Sequence, residues 1–318
     1  MAKILVTGGA GFIGSHLVDR LIEESHEVIV LDNLSTGRKE FIRQHFNNPQ
    51  FKFYKVDLVS DDIDKYFKGV DEVWHLAGNA DVRSALTNTS KDVENNIIAT
   101  YRVLEAMRKN DVRKIFFTSS STVYGISEKI PTPENYSPLK PISIYGATKL
   151  SCEALISAYS HTFGFNGVVF RLANIIGPRS THGVIYDFIR KLERNPNELE
   201  ILGDGKQKKS YMYIEDCIDA FMLVREEVSS DLEVFNVGSE DYITVREIAE
   251  IVCSALGISP TFRFTGGKHG WKGDVPIMLL DIKKLRKLGF TPKYNSKKAV
   301  EKTVEALVNK KWEKKNIP

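Results

Sequence analysis

The 318-residue sequence predicts a doubly wound α/β fold, a parallel sheet between helices, with a smaller α/β unit at its C-terminal end. Three observations carry that reading. Short apolar runs alternate with stretches of helical periodicity through the first half. Those runs are rich in Val, Ile and Phe and lack clean polar alternation, as expected of strands buried on both faces. Repeated strand–helix–strand order demands a parallel sheet with right-handed crossovers.

The strand-like runs are KILVTG (3–8), EVIVLD (27–32), FKFYKVD (51–57), EVWHLAG (72–78), KIFFTSS (114–120) and GVVFRLA (167–173). Helical periodicity lies at 12–24, 92–109 and 146–163. The second half is less regular, with helices expected at 184–194, 216–228 and 296–312 and a strand at 233–237. Residues 244–257 read as a helix with Thr244 as N-cap, Glu247 completing a capping box and Gly257 as stop. Irregular loops at 175–183, 203–210 and 265–274 suit a substrate site. The chain divides near residue 175 into 1–175 and 176–318, with strand 233–237 returning to the first sheet as an option.

Composition excludes several classes. Formal charge is only +3, and no Lys/Arg strip is interleaved with aromatics, so no nucleic acid is expected. Lys310, Lys311, Lys314 and Lys315 read as a solvated helix end. No run of about 18 apolar residues occurs, so no membrane span is expected. The amino terminus opens directly into a strand, so no leader is expected. Cys152, Cys217 and Cys253 have no metal-ligand spacing, and a reducing cytoplasm fits them best. His161, His182 and His269 share no metal spacing either, and no metal is expected. His75 and His16 read as packed side chains.

TGGAGFIGSH (7–16) joins the first strand to the first helix. Its early glycines permit a tight turn and close approach of backbone to a pyrophosphate, and Gly14 lets the helix pack closely. The helix N-terminus offers free N–H groups to phosphates. Asp32 ends the second strand, where a carboxylate accepts from ribose hydroxyls and repels a 2′-phosphate, favouring NAD over NADP. This is the Rossmann arrangement. Asp57, ending the third strand, is a candidate for the adenine edge or for capping a helix.

Tyr145 and Lys149 stand four apart in a helical stretch and project from one face. A phenol with its ordinary pKa near 10 is a poor base at neutral pH. A neighbouring ammonium and an oxidised nicotinamide would lower it. TSSSTVYG (118–125) leaves a strand at its carboxyl end, where doubly wound sheets bind ligands, and supplies a hydroxyl.

These residues resemble the extended short-chain dehydrogenase/reductases, and within them the NAD-dependent sugar-nucleotide epimerases of the UDP-glucose 4-epimerase type. The matched features are TGGAGFIGSH, Asp32-Asn33, HLAG (75–78), Asn96, SSSTVYG, Tyr145/Lys149, RLANIIGP (171–178) and LGDGKQKKSYMYI (202–214). The resemblance implies Ser120 as catalytic hydroxyl, Tyr145 as general base and acid, and Lys149 as holder of the nicotinamide ribose. It implies dinucleotide contacts at Gly8, Gly11, Phe12, Ile13, Gly14, Asp32, Asn33, Asp57, Leu58, Leu76, Ala77, Tyr145 and Lys149. Substrate contacts map to Ser120, Tyr145, Asn174, Val184, Leu202 and Lys209. The implied reaction is C4 epimerisation of a UDP-sugar through a 4-keto intermediate, by a homodimer joined through helices 92–109 and 146–163. Alternatives are a UDP-sugar oxidoreductase or decarboxylase, or a non-catalytic NAD-binding regulator.

Sugar 4,6-dehydratases of the family carry Asp-Glu where this chain has Ser121 and Thr122, and decarboxylases usually have Glu at the second position. Neither residue here can do carboxylate work. The chain also departs from many relatives at Lys209 and Trp271, where they have arginines that grip the diphosphate bidentately, which Lys does only as a point charge. Lys272 and Arg179 are possible substitutes. Met278 lies near the position that limits the sugar 2-substituent.

Overall fold

The computed structural model describes residues 1–79, 81–82, 86–227 and 232–309. The four tail lysines, the end of the expected helix 296–312 and the last residue of the expected helix 216–228 lie outside them.

The chain forms two units. The first comprises residues 1–124, 139–171 and 224–235, and the second 125–138, 172–223 and 236–318. The division is therefore not one cut near 175.

The seven-stranded sheet uses β1 (Lys3–Thr7), β2 (Glu27–Asp32), β3 (Phe51–Lys55), β4 (Glu72–His75), β5 (Lys114–Ser120) and β6 (Asn166–Leu172). In the second unit come β7 (Asn174–Ile176), β8 (Glu198–Ile201), β9 (Lys208–Lys209) and β10 (Tyr211–Tyr213). β11 (Leu232–Val237) completes the seven-stranded sheet, and β12 (Ile243–Thr244), β13 (Thr261–Phe264) and β14 (Ile277–Met278) follow. The sheet order is β11-β6-β5-β4-β1-β2-β3. β1 pairs in parallel with β2 on one side and β4 on the other, so the order reverses there. Crevices at such a reversal, outside the strands' carboxyl ends, are where this fold binds ligands.

The strands are continuous apolar runs because both faces are covered. On one face Trp74, Phe116 and Phe170 stack across β4, β5 and β6, with ring centroids 4.1 and 6.3 Å apart. On the other, Leu5, Val73, Ile115 and Phe117 pack with Val103, Leu104 and Met107 of α3 (Ala99–Lys109) and Cys152 and Ile156 of α4 (Ile144–Phe163). The remaining helices are α1 (Phe12–Glu23), the single turn α2 (Ser90–Asp92), α5 (Val184–Arg194), α6 (Ile214–Glu227), α7 (Val245–Leu256), α8 (Lys283–Lys287) and α9 (Ser296–Asn309).

Local chemistry sets several boundaries. Thr244 and Glu247 form the full capping box of α7, and Gly257 ends that helix at φ +67°. Gly164 ends α4 at φ +68°. The helix expected at 92–109 is instead broken: residues Val93–Ile98 form a π-helical turn between α2 and α3. Such turns widen the backbone and recur at functional sites.

Candidate active site

The strand ends assemble the first part of the site. Gly8 follows β1 at φ +70°, and a Cβ there would lie 2.7 Å from the Ala77 nitrogen. A Cβ on Gly14 would meet the Gly8 carbonyl at 2.2 Å. Both positions therefore require glycine. Gly11 is the N-cap of α1 and supplies no side-chain cap, and the first turn of α1 holds no acidic residue. Its free N–H groups and positive dipole end are left for an anion. Phe12 and Ile13 stand partly exposed in that turn.

Asp32 accepts from the Ala10 nitrogen through Oδ2 (3.0 Å) and from the Leu34 nitrogen through Oδ1 (2.8 Å). Burial raises its pKa while these two N–H donors oppose the rise. Each oxygen keeps a second acceptor position for a sugar hydroxyl. Asn33 donates to Asp57 Oδ2 (3.0 Å), and Val59 N donates to Oδ1 (2.8 Å). Burial works against the Asp57 anion, but these donors hold its pKa below the usual value. Asp57 thus caps a turn and steadies Asn33. Leu58 is buried in the core, whereas Leu76 and Ala77 are partly exposed after β4. Ala77 N donates to the Thr7 hydroxyl (3.2 Å). His75 is a packed residue, with its ring nitrogens against Thr7 Oγ1 (2.7 Å) and Thr100 Oγ1 (2.9 Å). Burial, then the charge of Lys149, lowers its pKa to about 3.

The glycine cradle, the uncapped helix start and the Asp32 acceptors fit a dinucleotide.

Ser120, Tyr145 and Lys149 come together at the end of β5. α4 begins at Ile144 under an Ser143 cap, which places Tyr145 in its first turn. The Ser120 hydroxyl stands near the Tyr145 phenol and works its pKa downward. Ser120 Oγ accepts from Thr122 N (3.2 Å) and from Thr122 Oγ1 (3.0 Å). Both its lone pairs are then used, which leaves its own O–H as a donor. Thr122 is the orienting residue that sequence reading treated only as a branch marker. A hydroxyl two residues before a free N–H is the signal that could have shown it.

Lys149 is buried and donates to the Thr118 carbonyl (2.9 Å). Its Nζ lies 4.8 Å from the Phe117 ring centroid and 5.9 Å from that of Tyr145. Gly78 leaves room beside it, since a Cβ there would lie 3.4 Å from Nζ and 2.7 Å from Asn96 Oδ1. Asn96, in the π-helical turn, donates to Thr148 Oγ1 (2.9 Å) and accepts from Asn79 N (2.9 Å).

The expected lowering of the Tyr145 pKa is not present in the protein alone. Burial, then the carboxylate of Asp92, pushes the phenol up to about 12, and only the Ser120 hydroxyl works downward. Burial also lowers the Lys149 pKa.

In the second unit, Asn174 donates to the Ser210 carbonyl (3.0 Å) beside the β7–β10 pairing. Val184 is the first residue of α5, and the Leu202 carbonyl accepts from Gln207 Nε2 (3.1 Å). Lys209 is ion-paired with buried Asp274. Asp274 also accepts from Gly270 N (2.9 Å), and its own nitrogen donates to the Trp271 carbonyl (3.1 Å). The Lys209 charge is thus committed to a carboxylate, which charge counting along the sequence does not show. Among the described residues no group of His, Cys, Asp and Glu could hold a metal ion, and no helix is long and apolar enough to cross a membrane.

A family model, the NAD dependent epimerase/dehydratase family, matches residues 4–238. The chain belongs to this family of NAD-dependent enzymes. It is 44% identical to a solved structure of a UDP-galactose 4-epimerase, with a TM-score of 0.88, covering 98% of this chain and 100% of that one. It is 36% identical to a putative UDP-glucose 4-epimerase of Methanocaldococcus jannaschii, over 96% of this chain and 98% of the relative. It is also 32% identical to UDP-glucuronic acid decarboxylase 1 of Arabidopsis thaliana, over 97% of this chain and 70% of the relative. These relatives are named for UDP-sugars, and more than one reaction occurs among them.

Proposed function

We propose that this chain catalyses C4 epimerisation of a UDP-sugar of the glucose/galactose type through a transient 4-keto intermediate. The observation that carries the reading is the placing of the Ser120 hydroxyl near the Tyr145 phenol, with the buried Lys149 ammonium 5.9 Å from the phenol ring centroid. Bound NAD supplies a hydride acceptor for sugar C4, a positive charge near the phenol and the return of the same hydride.

Tyr145 takes the proton of the 4-hydroxyl as C4 is oxidised, and gives it back on reduction. Starting from a pKa of about 12, bringing the phenol near neutrality needs on the order of 7 kcal/mol of differential stabilisation. Cationic charge in a poorly hydrated wall supplies that, helped by the O–H of Ser120. Lys149 would hold the nicotinamide ribose, with its charge 5.9 Å from the phenol ring centroid. Gly8, Gly11, Phe12, Ile13 and Gly14 would hold the dinucleotide, with Asp32 and Asn33 for the adenosine ribose and Asp57, Leu58, Leu76 and Ala77 as further contacts. Asn174, Val184 and Leu202 would contact the nucleotide sugar, and Lys209 would join them only by leaving Asp274. Remote binding energy from the nucleotide lets few contacts hold the sugar, so the keto intermediate can turn over.

Ser121 and Thr122 carry no carboxylate, which disfavours dehydration and decarboxylation. The three cysteines are free and buried, as suits a reducing cytoplasm. Exposed Val93, Ile98, Tyr101, Ile144 and Phe163 on the helices at 93–109 and 144–163 support a homodimer.

Denaturing the purified protein and assaying the supernatant tests the cycle. About one NAD per chain is expected, because an epimerase regenerates its cofactor. Empty protein that consumes added NAD with substrate contradicts the reading and identifies a one-way oxidoreductase.

A further inference from the structure

α4 presents Tyr145, Lys149 and Glu153 at intervals of four, along one face. Each meets one of the last three residues of β5. Tyr145 stands near Ser120, Lys149 donates to the Thr118 carbonyl, and Ser119 Oγ donates to Glu153 Oε1. The third contact has no part in the chemistry above.

Glu153 and Arg171 are 7% and 5% exposed. Arg171 Nη2 lies 2.7 Å from Glu153 Oε2, and Nε lies 3.1 Å from Oε1. Nη1 donates to the Tyr124 hydroxyl (3.0 Å). Tyr124 closes the 3-10 turn Ser121–Tyr124 that leaves Ser120. The pair therefore grips the residue before Ser120 and the turn after it. A buried ion pair repays its desolvation poorly, and apolar replacements of such pairs are often neutral or stabilising. Stability is a weak reason for this pair, and its contacts on both sides of Ser120 supply a better one.

We propose that Glu153 and Arg171 are positioning residues: through Ser119 and Tyr124 the pair fixes the Ser120 hydroxyl against the Tyr145 phenol. The proposal rests on the reading of this site as a proton-transfer site at sugar C4.

The test uses the full-length, NAD-loaded protein with tyrosine labelled by carbon-13 at Cζ. The Tyr145 resonance, assigned with Tyr145→Phe, reports hydrogen bonding at the phenol without any turnover. Ser120→Ala sets the scale of its shift. Glu153→Gln and Ser119→Ala are each expected to move the resonance in the same direction as Ser120→Ala. Both are expected to lower kcat by about 10- to 100-fold with little change in KM, as misplacement of a reacting group does. Ser119→Ala leaves the ion pair intact, so it keeps the test alive if Glu153→Gln fails to fold. Folded variants with an unmoved resonance overturn the positioning role, whatever wild-type turnover is. A moved resonance in a protein inert toward every UDP-sugar upholds the positioning and overturns only the functional reading.

Discussion

Tyr145 shows how far a residue's chemistry depends on what folds around it. Its spacing from Lys149 is visible in the sequence, and the two do share a wall of one site. The upward push on the phenol is not visible, because it comes from burial and from Asp92, a residue 53 positions earlier in the chain. His75 is the reverse case: its place at the end of an apolar strand already says packed side chain, and two threonine hydroxyls complete it. Its folded pKa of about 3 lies below the unfolded 6.5. The unfolded chain therefore binds the extra proton, and stability falls as pH drops from 6.5 toward 3. The expected slope is up to about 1.4 kcal/mol per pH unit. Urea unfolding at pH 6.5, 5.5 and 4.5 measures it, and His75→Gln should flatten the curve. Equal slopes in both proteins would reject the buried neutral ring.

At the scale of elements, the glycine turn and the α7 capping box were legible because each is written in a few consecutive residues. The π-helical turn at Val93–Ile98 was not, since its periodicity differs little from that of an α-helix and Asn96 is held by Asn79 and Thr148 from elsewhere in the chain. Gly14→Ala tests the turn. Its Cβ would press on backbone atoms of Gly8 and Gly9, which have no rotamer to yield. α1 must then lift from β1. Retained NAD is expected to fall at least about tenfold, and thermal stability by about 1–3 kcal/mol, the usual cost of overpacking. Full cofactor content by absorbance would show that α1 packs less closely than described.

For the whole molecule, the parallel sheet between helices followed from the alternation of apolar runs and helical stretches. The partition into units did not. Residues 125–138 and 224–235 each fall on the other side of a simple N-terminal and C-terminal division, through contacts far apart in sequence. The pairing of Lys209 with Asp274, 65 residues later, was hidden for the same reason. Self-association belongs to this scale too. Tyr101 is 47% exposed in an apolar strip of the 93–109 helical segment. Sedimentation equilibrium is expected to give a dimer for the wild type and a monomer for Tyr101→Glu. A wild-type monomer at micromolar concentration would remove the homodimer.

The central claim is that the Tyr145 phenol moves the proton at sugar C4. It is tested most directly by incubating wild-type and Tyr145→Phe protein with UDP-glucose and UDP-galactose and following C4 configuration by proton NMR. The wild type should interconvert the two, while Tyr145→Phe, with its NAD still bound, should show no inversion. Near-normal inversion by the phenylalanine variant would contradict the account.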